Sequence, residues 1–193
     1  MNIKIDLYLI ISIAVLIFFR QIEPFIYFYV FVIFHEFSHI LVALILKIKV
    51  LEINFLPFGV NAKFDFEIHK IKEIFIASAG PVFSACMAYF FKEYMVQNLF
   101  ICITNLLPIY PLDGGRILKN TMILLLGQKL GAKFYNNLLI FLIILLLIFN
   151  IIVIIFLRSF QFLFVSFYII QIAEEELKKD KIKNKIMSIY NSL

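Results

Sequence analysis

Two histidines and a glutamate at fixed spacing, His35-Glu36-Phe37-Ser38-His39, are the residues of this chain best suited to do chemistry. On an α-helix, positions i and i+4 share a face, so both imidazoles can grip one metal ion. Glu36 lies beside them, where a general base for a metal-activated water belongs. The setting sharpens this reading. The pentapeptide sits inside an apolar run, Phe25 to Leu46, and ionisable groups are expensive within a membrane segment. Chemistry within a bilayer, or at its edge, is the implication. The bland alternative is a helix whose polar residues are packed against partners.

A catalytic zinc takes three protein ligands plus water, so two histidines leave the site one short. His69 is one candidate, in a charged stretch with no partner motif. Asp113 is the stronger. It stands in Thr104-Asn105-Leu106-Leu107-Pro108-Ile109-Tyr110-Pro111-Leu112-Asp113-Gly114-Gly115-Arg116. Pro108 and Pro111 lack backbone donors and break a helix. Gly114 and Gly115 permit unusual dihedrals and close backbone approach. A broken helix at membrane depth is tolerated where it lines a cavity or is buried in protein. Taken alone, the same run reads equally well as a Pro-Gly turn that ends a span with a solvated Asp.

The elements that must position these residues are membrane helices. The chain is 63% hydrophobic and 16% charged, against roughly 45–50% and 25% for soluble domains. An all-α polytopic membrane fold of about six transmembrane helices is expected. The candidate spans are Leu7–Phe19, Phe25–Leu46, Ile74–Phe91, Tyr94–Leu107, Leu138–Leu157 and Phe160–Ala173. The first, fourth and last are short for a hydrocarbon core that needs about 20 residues. No small-residue cleavage site follows the first segment, which reads as retained.

Lys and Arg set the orientation. With both termini in the cytoplasm, only Arg20, Lys92 and Arg158 of the 18 basic residues fall outside. The second span then runs inward, and His39 lies seven residues before Leu46, roughly 10 Å at 1.5 Å per residue. The fourth span also runs inward and delivers Asp113 to that same side. The net charge of +5 therefore belongs to membrane topology and not to a nucleic-acid footprint.

Between the second and third spans, Val50 to Phe55 and Ala62 to Ile68 alternate around Pro57-Phe58-Gly59. This predicts a short membrane-associated β-hairpin on the cytoplasmic side. It is either an ordinary loop or an exposed edge that pairs with an extended substrate. Residues 1–173 form the membrane domain, and 174–193 form a charged cytoplasmic tail whose Glu174-Glu175-Glu176 suggests a solvated face. Cys86 and Cys102 lie in apolar segments without a C-x-x-C pattern and read as small buried hydrophobes. No internal repeat is evident.

With H-E-x-x-H in one span and N-x-x-P-x-x-P-L-D-G in a later one, the chain resembles the site-2 protease family of intramembrane zinc metalloproteases (peptidase family M50). The short six-span layout and the run Asn105 to Arg116 are most similar to its sporulation-type members. The resemblance covers roughly Phe25 to Ile117. It implies that His35, His39 and Asp113 bind Zn2+ and that Glu36 is the general base. Asn105 would orient the substrate or polarise its carbonyl, and Pro111 would shape the ligand loop. Ala79-Gly80-Pro81 is similar to a small-residue motif of the family. Ser84 stands where members often carry Asn, and no role is assigned to it. Sporulation-type members commonly carry a C-terminal CBS domain, and the twenty residues after 173 are too few for one, so nucleotide regulation is not implied.

The function expected is zinc-dependent hydrolysis of a peptide bond in or near the membrane segment of a membrane-associated regulatory protein. The resemblance implies a pro-sigma factor in sporulation as one such substrate, and inhibitory membrane proteins as partners. The location is then a bacterial cell membrane or the membrane surrounding a forespore. Two other classes use the same residues. A non-proteolytic metal-binding or transport protein would share the ligands without a chemical role for Glu36. A non-catalytic scaffold would have no need of the full set.

Overall fold

The computed structural model describes residues 2–5, 22–56, 59–64, 69–157, 170–171, 173–180 and 182. Two of the expected spans, Leu7–Phe19 and nearly all of Phe160–Ala173, lie outside the described residues. Two compact units divide the chain, Met1–Leu106 and Leu107–Leu193.

In the first unit, strand β1 (Asn2–Ile5) precedes helix α1 (Ile22–Ile45), which carries the His-Glu-x-x-His motif. Strands β2 (Val50–Leu56) and β3 (Gly59–Phe64) follow, then helix α2 (Lys70–Phe90). A 3-10 turn at Lys92–Tyr94 leads into helix α3 (Met95–Asn105). Strands lie in both alternating stretches. β2 and β3 pair antiparallel, with Leu56 opposite Gly59. This brings the second strand forward from the predicted start at Ala62. The sheet has a third strand that hairpin logic did not supply: β1 pairs parallel to β2, with Asn2 opposite Glu52 and Ile5 opposite Phe55.

α1 ends in a Schellman cap. The Ile48 amide donates to the Ala43 carbonyl and the Lys47 amide to that of Leu44. Lys47 adopts φ 59 to close it, the left-handed position that usually takes Gly. The helix buries Val32, His35, Ser38, His39 and Ala43, whereas Phe34, Phe37, Leu41 and Leu44 are exposed. α2 presents the complementary stripe of Ile76, Ala77, Gly80, Pro81, Ser84 and Ala88 and turns Phe75, Val82 and Phe90 outward. Polar and small residues inside with large apolar ones outside is the pattern of helices packed together in lipid. Cys86 shares the outward face, so it is exposed and only Cys102 is buried. Aromatic contacts add to the packing of α1 against α2 and against the 3-10 turn. Phe31 stacks obliquely on Tyr94 at 5.0 Å between centroids, and Phe34 lies beside Phe83 at 6.4 Å.

In the second unit, the helical stretch α4 (Asp113–Leu157) is broken at Gly127, which has φ 82 and ψ 165. In a straight helix Gly131 would lie about 12 Å from Ile123. Instead, a Cβ added to Gly131 would stand 2.6 Å from backbone atoms of Ile123 and closer still to the Met122 carbonyl. The chain therefore turns back at Gly127, and α4 is two helices, 113–126 and 128–157. The second contains the expected span Leu138–Leu157. Ile109, Tyr135, Leu139 and Ala173 form the core of this unit, with Tyr110, Leu112 and Leu177 packed against it. Residues 173–180 are helical. Glu174 and Glu175 are exposed there, whereas Glu176 and Asp180 turn inward to meet Lys119.

Among the described residues, three helical stretches are long and apolar enough to cross a membrane: Ile26–Ile45, Lys70–Phe90 and Asp113–Ile151, the last of them containing the bend at Gly127. The expected fourth span is not among them. α3 has 11 residues, about 16 Å of helix against a hydrocarbon core of about 30 Å. Lys92-Glu93 limits it at one end and the proline run at the other.

The bend at Gly127 uses a backbone conformation open essentially only to glycine. Gly127→Ala is therefore expected to lower stability by about 1–3 kcal/mol, although a Cβ there would meet nothing within 4 Å. Unfolding in mixed detergent micelles measures this, and a wild-type midpoint would show that the bend does not need the positive φ.

Candidate metal centre

The first half of the site is built where α1 crosses α2. His35 and His39 are one helical turn apart and 1% and 3% exposed, so both imidazoles are inside protein. Their rings stand edge to face, with centroids 5.0 Å apart. Each ring is held from behind. His39 Nδ1 lies 2.6 Å from the Ile76 carbonyl oxygen. A carbonyl only accepts, so that nitrogen carries the proton, and Nε2 is the position with the lone pair. His35 Nδ1 lies 2.9 Å from Ser84 Oγ, which can accept in the same way. Metal-binding histidines almost always donate the other ring N–H to such a partner, which fixes tautomer and ring angle.

The two Nε2 atoms meet over Gly80. A Cβ added there would lie 2.5 Å from His35 Nε2 and closer to His39 Nε2. Only glycine leaves this space open. Pro81 follows in the same helix, where it cannot donate to the Ala77 carbonyl. This is the turn whose neighbouring carbonyl, Ile76, accepts from His39. Donor type, tautomer and a reserved space beside both Nε2 atoms fit a zinc ion.

Glu36 is half-buried beside His35 on α1. Ser38, also buried, bonds the carbonyl of His35 within the helix. Asn105 forms the last turn of α3, and its Nδ2 donates to the Ile101 carbonyl at 2.9 Å. His69 is exposed at the N-cap of α2, which removes it from the buried site.

Asp113 belongs to the second unit. It opens α4 and is 6% exposed, and its carboxylate sits at the positive end of the helix dipole. Arg116 Nη1 is 4.0 Å from its Oδ1. The proline run before it behaves as a tight loop, in which Leu112 N–H donates to the Ile109 carbonyl at 2.9 Å. Gly114 and Gly115 do not supply unusual dihedrals, since both lie in the first turn of α4 and Gly127 alone among the described glycines has positive φ. Gly115 is needed for close approach: a Cβ would lie 2.5 Å from the Ile109–Tyr110 peptide.

Sequence reasoning left Ser84 without a role, and the structure gives it one as the partner of His35. The signal was its position one helical turn beyond Gly80 in a small-residue stripe, which by itself cannot be told from packing.

The model of peptidase family M50 matches residues 84–149, which include Asn105 to Arg116. Stage IV sporulation protein FB of Bacillus subtilis is 32% identical over 103 residues, covering 45% of this chain and 36% of that protein. The chain thus spans little more than a third of the length of this curated relative. The solved site-2 protease from Methanocaldococcus jannaschii is 27% identical, with a TM-score of 0.67 over 91% of each chain.

Gly80→Ala is expected to abolish metal binding, because its methyl group would occupy the space beside both Nε2 atoms. Ser84→Ala should weaken zinc affinity by about 10-fold or more, the usual effect of losing an outer partner of a ligating histidine. Chelator competition on purified protein measures both. Undiminished affinity in Gly80→Ala would mean that the metal does not approach from that side.

Proposed function

We propose that this member of peptidase family M50 hydrolyses a peptide bond in or near the membrane segment of a membrane-associated regulatory protein, with His35, His39 and Asp113 holding zinc and Glu36 as general base. The observation that carries the reading is the pair of anchored imidazoles, each held at Nδ1 and each presenting Nε2 beside Gly80. Asp113 supplies the third donor. The three residues are all buried and offer one ligand atom apiece, the composition of a site that could hold a metal ion.

When bound, zinc supplies Lewis acidity toward a carbonyl and lowers the pKa of water towards about 7. The protein does the rest. Glu36 accepts the proton of the attacking water and returns it to the departing amide nitrogen. Asn105 spends one amide hydrogen on the Ile101 carbonyl and has a second to offer a substrate carbonyl. Burial of both histidines keeps competing ligands away. A helical substrate hides its carbonyls, so it must unwind before cleavage. β1 covers the other side of β2, so β3 is the edge strand of the hairpin on which an unwound segment can be held.

The topology we infer has about six spans and both termini in the cytoplasm, with a charged tail beyond residue 173. Charge asymmetry supports it, and so does the sheet. β1 pairs with β2, so the N-terminal strand lies on the side where α1 ends and where Lys47 and Lys49 stand. Similarity to a sporulation protein supports a pro-sigma factor as substrate, inhibitory membrane proteins as partners, and a cell or forespore-surrounding membrane as the location.

Glu36→Gln should retain zinc and lose at least 100-fold in cleavage of a membrane-tethered substrate in proteoliposomes, in line with removal of a general base. Full cleavage by a zinc-loaded variant would sink the base assignment. Asp113→Ala should lose zinc, and unchanged stoichiometry and affinity would remove Asp113 from the site.

A further inference from the structure

A buried ion cluster lies in the second unit and takes no part in the chemistry proposed above. Lys119 Nζ is 2.8 Å from Glu176 Oε1, 2.9 Å from Asp180 Oδ1 and 2.8 Å from Asp180 Oδ2. The three side chains are 11%, 16% and 11% exposed. Exposed pairs on the same segment are looser, as Lys178 and Glu174 at 3.9 Å show. A lysine with two carboxylates is an unusual thing to bury, because each ion loses its water and needs compensation from the others. Lys119 lies less than two turns after Asp113 on the same helical segment. Glu176 and Asp180 share one face of the C-terminal helix at i and i+4. The same helix contributes Ala173, which is fully buried against Ile109, Tyr135 and Leu139, and Leu177, which packs on that cluster with Tyr110 and Leu112. Ile109, Tyr110 and Leu112 are the loop that delivers Asp113.

We propose that the C-terminal helix is a brace for the aspartate ligand, with Lys119, Glu176 and Asp180 as positioning residues that lock it onto the 107–118 segment. This rests on the reading of Asp113 as a zinc ligand. Its two prolines remove backbone donors, and the backbone–backbone bonds at Ile109, Leu112 and Arg116 are short-range turns. Packing from one side and a two-point ion lock from the other supply what the backbone does not. Holding a ligand within a fraction of an ångström requires such support. The C-terminal residues are then part of the catalytic unit, and their charges are there to be paired.

The test uses the full-length protein in detergent. Lys119→Met leaves two carboxylates buried without their cation. It should raise hydrogen exchange of peptides covering 107–118 by an order of magnitude or more, while α1 and α2 exchange as in wild type. Zinc affinity by chelator competition should fall about 10-fold, and the d–d spectrum of the cobalt-substituted protein should change. Lys119→Glu combined with Glu176→Lys and Asp180→Asn rebuilds one pair with reversed polarity and should restore exchange, affinity and spectrum together. Wild-type exchange at 107–118 in Lys119→Met would overturn the brace. Faster exchange with undiminished zinc affinity would overturn its role in positioning the ligand. Asp113→Ala, run in parallel, separates this from the underlying reading: retained zinc in that variant refutes Asp113 as a ligand, whereas the exchange result still decides the brace.

Discussion

How closely α1 can approach α2 at Gly80 controls everything else in the arrangement of the two imidazoles. With no side chain at that position, the two imidazoles can lie against the α2 backbone, and only there can Nδ1 of His39 reach the Ile76 carbonyl. That bond sets the tautomer, and the tautomer decides which nitrogen is open to a metal. In water, such packing would be driven by the hydrophobic effect. Between lipid-bathed helices that force is absent, and close contact depends on small residues and on hydrogen bonds between helices. The stripe of Ala77, Gly80, Ser84 and Ala88 supplies the first, and the two histidine anchors supply the second. The bonds that orient the ligands therefore also hold the helices together.

The sequence made the chemistry more legible than the scaffold. His-Glu-x-x-His at helical spacing and a proline-broken run ending in Asp113 are local patterns, and local patterns survive without knowledge of packing. β2 and β3 were visible because strands alternate. β1 was not, although Asn2-Ile3-Lys4-Ile5 alternates too, because four residues are too short a run to stand out and their partner lies far along the chain. The fold-back at Gly127 was hidden for a different reason. Hydropathy averages over a window and is blind to one dihedral, so Leu138–Leu157 could be read as a span while the turn before it could not. Ser84 and the inward-facing Glu176 were illegible because their meaning comes from a partner on another helix, and only tertiary structure names that partner.

The two units also show two ways of handling a buried polar group. In the first, two imidazoles are bonded to a carbonyl and a hydroxyl. In the second, Lys119 is surrounded by two carboxylates. Removing one member of such a cluster is far more damaging than never having had it. Ion clusters of this kind are weak contributors to overall stability, but they are demanding about geometry.

The parallel pairing of β1 with β2 has a consequence for how the chain is made. Asn2 is synthesised first, yet its partner Glu52 emerges about 3–10 s later at ordinary ribosomal rates. During that interval α1 must leave the ribosome and enter the bilayer. The sheet is therefore completed only after insertion has begun, and strand pairing becomes a latch that closes behind the first helices once they are in place. A nascent chain in which a single crossing separated the two strands would leave the first strand across the membrane from its mate.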